Sequence, residues 1–172
     1  MKKIFKIKLK KLTLKNFSPD YINWINSNKV NKYLEIRYKK QTKNDIKKFI
    51  SKCKKSRTTY LFGIFIIKTD LHIGNIKLEI TNLQHRRAEV GIMIGYESEW
   101  GKGYGAQAIK LLEKFAKIRL KLKKLYAGCY ESNTGSIKAF LNAGWEVEGF
   151  QKSFWKLSSK KRVGEFLLGK SI

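Results

Sequence analysis

Phe5, Ile7 and Leu9, then Leu12 and Leu14, are spaced between lysines, the pattern of a strand with one half-buried face. Ser18-Pro19-Asp20 predicts a helix start, with Ser18 as N-cap and Pro19 in the first helical position, where its missing N–H is no loss. Tyr21, Ile22, Trp24 and Ile25 give that helix an apolar face, and Asn26-Ser27-Asn28 ends it. Val30, Tyr33 and Leu34 predict a further short helical turn. Thr42 caps the next helix, on which Ile46, Phe49, Ile50 and Cys53 recur at helical spacing. Tyr60 to Lys68 reads as a strand, and a turn at Asp70 sends it into a second, Ile73 to Ile80, as a hairpin. Leu125 to Tyr130 is a short strand. Asn133 caps a helix carrying Ile137, Phe140 and Leu141 that stops at Gly144. Two closing strands, Glu146 to Leu157 and Val163 to Leu168, flank the turn Ser158-Ser159-Lys160-Lys161.

The stretch Ala88 to Lys117 changes period in its middle. Val90, Ile92 and Ile94 alternate with Gly91, Met93 and Gly95 as in a strand, and Ala108, Ile109, Leu112, Phe115 and Ala116 repeat as in an amphipathic helix. Trp100-Gly101-Lys102-Gly103-Tyr104-Gly105-Ala106 lies between them. At a helix N-terminus the first amides have no intrahelical partner and the positive end of the dipole points outward. Glycines remove the Cβ atoms that would hold a bulky anion away, so strand, loop and helix form a phosphate-binding device, or an ordinary tight turn. The whole order is β, helices, β, β, β, α, β, α, β, β, without repeat or linker, which predicts one α+β domain over residues 1–172.

Composition narrows the classes. Hydrophobic residues at 42% and aromatics at 13% exclude disorder. Cys53 and Cys129 fit no ligand or redox spacing and read as buried, reduced thiols; His72 and His85 have no matched ligands, so no metal is expected. The basic start alternates instead of entering an apolar block, and no run approaches the ~18 residues of a membrane span, which predicts a cytoplasmic protein. With 38 basic and 13 acidic residues the net charge is +25. The excess is mostly lysine, spread along the chain without an arginine-rich arm, so solvated faces are favoured over a nucleic-acid stripe. Lys102 to Ala106 is similar to the start of an RNA-recognition motif, but continues as a helix and not as an aromatic strand. No Gly-x-Ser-x-Gly elbow occurs. A basic nucleic-acid-binding module is the non-enzyme alternative.

Gly103 and Gly105 after a strand, then Asn133-Thr134-Gly135-Ser136 and Gly144-Trp145 in the next helix, resemble the GNAT acyltransferase superfamily. Trp100 to Tyr104 and His85-Arg86-Arg87-Ala88-Glu89 look like its RimJ/RimL branch, which holds ribosomal-protein alanine acetyltransferases and many enzymes acting on amino sugars. The resemblance covers nearly the whole chain. It implies a mixed, mostly antiparallel sheet of about seven strands with helices on both faces and a splayed central pair. It implies acetyl-CoA as co-substrate, its pantetheine arm bonding backbone near Ile92, Met93 and Ile94, and its pyrophosphate on the amides of Gly101, Lys102, Gly103, Tyr104, Gly105 and Ala106.

The implied reaction is acetyl transfer from a thioester to a primary amine by direct attack. An amine is mostly ammonium near neutral pH, so a base must take a proton. Glu89 stands where many relatives carry that glutamate, and alternation lets it face the cleft; it is equally placed to pair with Arg86 or Arg87. Glu79 is the reserve. The tyrosine that many relatives use to protonate the thiolate is Phe140 here. Ser136 resembles the serine of some RimL-like enzymes, or bonds the first turn of its own helix. Asn133 orients the cofactor or caps the helix. The acceptor region implied by the fold holds Trp24, Arg37, Glu79, Arg86 and Arg87, and its arginines favour a nucleotide-linked amino sugar over a protein N-terminus. A homodimer is kept as an option.

Overall fold

Three of the six strand pairs among the described residues join segments far apart in the sequence, and the register of those pairs decides which side chains meet. The structure, a computed structural model, describes residues 4–172; residues 1–3, the start of the basic opening, lie outside the described residues. Strands β1 (Ile7–Lys11), β2 (Thr59–Ile66), β3 (His72–Asn82), β4 (Arg87–Ile94), β5 (Lys124–Tyr130), β6 (Glu146–Lys156) and β7 (Arg162–Ser171) form one sheet in the order β1-β2-β3-β4-β5-β7-β6. All neighbours are antiparallel except β4 and β5. The helices are α1 (Tyr21–Asn26), α2 (Asn28–Asn31), α3 (Lys43–Lys55), α4 (Tyr104–Arg119) and α5 (Thr134–Asn142), with a 3-10 turn at Glu35–Tyr38. The α+β architecture of seven strands with helices on both faces is as expected from the sequence.

Two local expectations shift. The first strand is only Ile7–Lys11, an edge whose Lys8 and Lys10 converge on Asp70 at 2.7 and 2.6 Å, a charged fringe that discourages further pairing. Helix α1 begins at Tyr21, later than Ser18 predicts. The Ser18 hydroxyl accepts from the Asp20 amide at 3.1 Å and makes a local turn before the helix starts. Thr42 caps α3 as expected, and Asp45 completes a reciprocal capping box.

One sheet face packs Ala88, Val90, Leu125, Ala127 and Leu168 against Ala108, Ile109 and Leu112 of α4 and Phe140 of α5. The other packs Leu61 against Tyr21, Trp24, Ile25, Ile46 and Ile50 of α1 and α3. Each apolar helix stripe therefore has its own sheet face to bury against. Between β4 and β5 the parallel pairing runs only from Arg87↔Lys124 to Glu89↔Tyr126. Beyond Glu89, β4 stays with β3 through Ile94 and β5 stays with β7 through Tyr130, so the two strands part as a wedge.

Candidate active site

The wedge opens beside the start of α4. Gly103 is the N-cap of α4 in a left-handed conformation (φ +76°), Gly101 is also left-handed (φ +74°), and a Cβ on either would meet nothing within 4 Å. No side chain caps this end, and its first turn carries no acid. The leading amides of a four-turn helix thus face open volume, a seat for anionic oxygens. Tyr104 and Ala106 lie in that first turn. Gly105 has another duty, because a Cβ there would stand 3.2 Å from the Ala139 methyl where α4 and α5 cross. Lys102 is paired with Glu99 at 3.0 Å, which tempers its charge at the rim. The Trp100 indole donates to the Ile94 carbonyl at 2.9 Å, so the glycine loop is tied to the end of the open strand.

Across the wedge, Asn133 accepts from the Ser136 amide at 3.2 Å and caps α5. The Ser136 hydroxyl lies 3.4 Å from the Cys129 sulfur. Burial pushes the Cys129 thiol up to about 11, against the pull of the Ser136 bond, which keeps it a neutral thiol and a weak partner. Phe140 is buried against Trp145, ring centroids 4.6 Å apart, in the α5 core. Ile92 and Ile94 are half-buried on this same face, while the Met93 side chain packs on the α1/α3 side.

The opposite face of the wedge is acidic. Glu89 is exposed on β4, flanked in register by Glu79 and Tyr126. Glu79 is held by Lys77 at 2.8 Å. Glu165 of β7, which the sequence pattern did not single out, is 7% exposed, and its carboxylate lies against Gly128, in the space a Cβ there would occupy. The Trp155 indole donates to it at 3.0 Å. Burial raises the Glu165 pKa, the Trp155 bond opposes this, and the Glu89 charge adds to it. Trp155 stacks on Tyr130 at 4.9 Å, and the Tyr130 hydroxyl donates to Glu35 at 2.6 Å.

Of the residues expected to grip the acceptor, Arg37 and Trp24 are taken up within the fold. The Arg37 guanidinium donates to the carbonyls of Leu34 and Lys156, to Glu35, and to the hydroxyls of Tyr130 and Tyr38. Its fork is used in tying the 3-10 turn to β5 and β6. Trp24 is 4% exposed in the core, its indole lying on Gly95 and edge-on to His72 at 5.2 Å. Arg86 occupies a turn (φ +49°), and Arg87 starts β4. Both lie at the Glu89 end of the strand, and Arg87, two residues from Glu89 and on the same exposed face, is about 7 Å from it along β4.

On the acidic side, a cavity of about 370 Å3 lies between α1, the 3-10 turn, α3 and the sheet, and reaches the Gly91–Met93 backbone within the open stretch of β4. Glu35 lines it, so cavity and acidic cluster are continuous.

A family profile described as "Acetyltransferase (GNAT) domain" matches residues 6–146. The chain belongs to this GNAT family. Among curated relatives it is 28% identical over 99 residues to an uncharacterized N-acetyltransferase, p20, of Bacillus licheniformis; the match covers 58% of this chain and 55% of the relative. The likeness thus spans about half the length of that curated relative. Among solved structures, the spermidine N-acetyltransferase of Vibrio cholerae, in complex with CoA and spermine, superposes with a TM-score of 0.84 at 18% identity, over 96% of this chain and 95% of that one. The microcin C7 self-immunity acetyltransferase, in complex with acetyl-CoA and AMP, gives 0.82 at 21% identity, over 97% and 93%. Both share the GNAT fold with this chain.

Proposed function

We propose that this GNAT domain transfers the acetyl group of acetyl-CoA to a primary amine by direct attack, and that the acceptor is cationic. One observation carries the reading: β4 leaves β5 after Glu89, and the freed edge ends at an uncapped, glycine-started helix. The residues fit the co-substrate. Ile92, Met93 and Ile94 would line its pantetheine arm, and the amides of residues 101–106 would bind its pyrophosphate. The amine enters from the acidic face. Its nitrogen attacks the thioester carbonyl carbon, its proton passes to Glu89, and the C–S bond breaks with the electron pair on sulfur. A thiol of pKa near ~8.5 leaves readily as thiolate, so Phe140 is no obstacle, and Ser136 is a hydroxyl candidate on the cofactor face.

Glu35, Glu89 and Glu165 surround the entry, Arg37 is engaged in holding the 3-10 turn, and Arg87 lies near Glu89 on the same strand face. This favours a cationic amine over a nucleotide-linked amino sugar. The spermine bound by the Vibrio cholerae relative is consistent with such a class. The test is release of CoA from acetyl-CoA with spermidine, a nucleotide-linked amino sugar, a peptide with a free alanine N-terminus, or no acceptor. Release with spermidine, reduced about 100-fold or more in Glu89→Gln at unchanged acetyl-CoA affinity, is expected. Release only with the sugar or the peptide overturns the acceptor class, and failure to bind acetyl-CoA overturns the reaction.

A further inference from the structure

The floor of the acceptor cavity holds a polar group that its surroundings have oriented but not satisfied. Asn75 of β3 is 6% exposed and lines the cavity, pairing in register with Met93. The Ser18 amide donates to His72 Nδ1 at 2.9 Å, which makes Nδ1 the acceptor and leaves the ring proton on Nε2. Burial lowers the His72 pKa, in keeping with this neutral tautomer. Nε2–H then faces the Gly74 carbonyl at 2.9 Å and Asn75 Oδ1 at 3.0 Å. The Asn75 amide cannot flip, since that would set donor against donor. Its Nδ2 is held on the other side, buried and without a hydrogen-bond partner among the described residues.

The neighbouring polar groups of the cavity are occupied. Lys77 binds Glu79, Asp45 closes the capping box of α3, and the Gln41 amide donates to two carbonyls. The exception is the Tyr21 hydroxyl, which lies beside Asn75; burial pushes its pKa up to about 12 against the pull of the Asn75 amide, so it remains a donor. The surrounding walls are apolar: Ile25, Leu34, Ile46, Phe49, Leu61 and Met93. A buried amide left unpaired costs about as much as a lost hydrogen bond, so a bound ligand that supplies an oxygen gains what the empty pocket forgoes.

We propose that Asn75, with Tyr21 beside it, is a specificity-determining residue that selects acceptor amines whose apolar tail carries an acceptor oxygen, such as an ether, carbonyl or hydroxyl. This rests on the acetyl-transfer reading above, and binding can test it without turnover. Isothermal calorimetry in the presence of CoA compares ω-methoxyalkylamines of increasing length with the n-alkylamines that have a methylene in place of the ether oxygen. In the native protein one chain length favours the ether by about 10-fold. Asn75→Asp keeps the oxygen facing His72 but replaces the free donor with an acceptor, and abolishes that preference; Tyr21→Phe reduces it. Thermal melts establish that each variant is folded. An equal ether preference in native protein and Asn75→Asp, or none at any chain length, overturns the proposal. If both amine series bind but neither is acetylated, the reaction reading fails while the selectivity stands or falls on its own.

Discussion

Glu165 is a carboxylate that the fold buries with one neutral donor, Trp155, and no cation within ion-pairing distance among the described residues. Such a group favours folding when protonated and opposes it when charged, unless a cation arrives. Because its folded pKa is raised, its contribution to stability is present below the unfolded carboxylate pKa and is lost as pH rises through the folded value. Glu165→Gln should therefore melt higher than the native protein at pH ~7, and this advantage should close below pH ~4, in paired thermal melts. The same variant should raise KM for a cationic acceptor by about 10-fold, since a charged hydrogen-bond partner is lost. Gly128→Ala adds one methyl where the carboxylate now lies, and should reproduce the KM increase without removing any charge. A normal KM in both variants would exclude Glu165 from the acceptor seat. Glu89 was legible because strand alternation is local in sequence. Tyr130, Trp155 and Glu165 were not, because three strands bring them together, beside the Glu35 of the expected acceptor region, through long-range register. The available signal was scarcity: 13 acids among 38 bases make a glutamate inside Val163–Leu168 worth a question.

At the scale of elements, α4 was the clearest feature of the chain, since glycine position and helical period coincide within a few residues. The structure adds which glycine does what. Gly101 and Gly103 hold left-handed turns next to open space, whereas Gly105 permits the crossing with α5. Gly103→Ala should thus act through the N-terminus of the helix alone. The left-handed geometry costs an L-residue roughly 1–2 kcal/mol, and re-aiming one amide away from a charged oxygen should weaken acetyl-CoA by about 10-fold. Calorimetric titration measures the second effect and thermal unfolding the first. Unchanged acetyl-CoA affinity would reduce the loop to a tight turn. The start of α1 was misread for a local reason: Ser18 has N-cap chemistry, but it spends its hydroxyl on the Asp20 amide and its backbone amide on His72, so the helix starts after it.

For the whole molecule, element order was readable from hydrophobic period, but the insertion of β7 between β5 and β6 was not, because no local pattern records which edge a closing strand joins. The charge distribution has a similar two-level character. A net +25 makes the long-range field positive, while the proposed acceptor entry is lined by carboxylates. These act over different distances. The long-range field attracts a polyphosphate co-substrate and repels a polycation, and salt removes it as the Debye length falls from about 30 Å at 0.01 M to about 10 Å at 0.1 M. Contacts to a half-buried carboxylate at ion-pairing distance are screened much less. Over that range of salt, acetyl-CoA association measured by stopped flow should slow by about 10-fold, with little change in its dissociation rate. For a polycationic acceptor, kcat/KM at saturating acetyl-CoA should hold or rise, because repulsion is relieved faster than the local attraction is lost. A phosphorylated acceptor would behave in the opposite way, losing efficiency in parallel with acetyl-CoA. The direction of the salt effect on the second substrate therefore discriminates a cationic amine from a nucleotide-linked sugar before either product is identified.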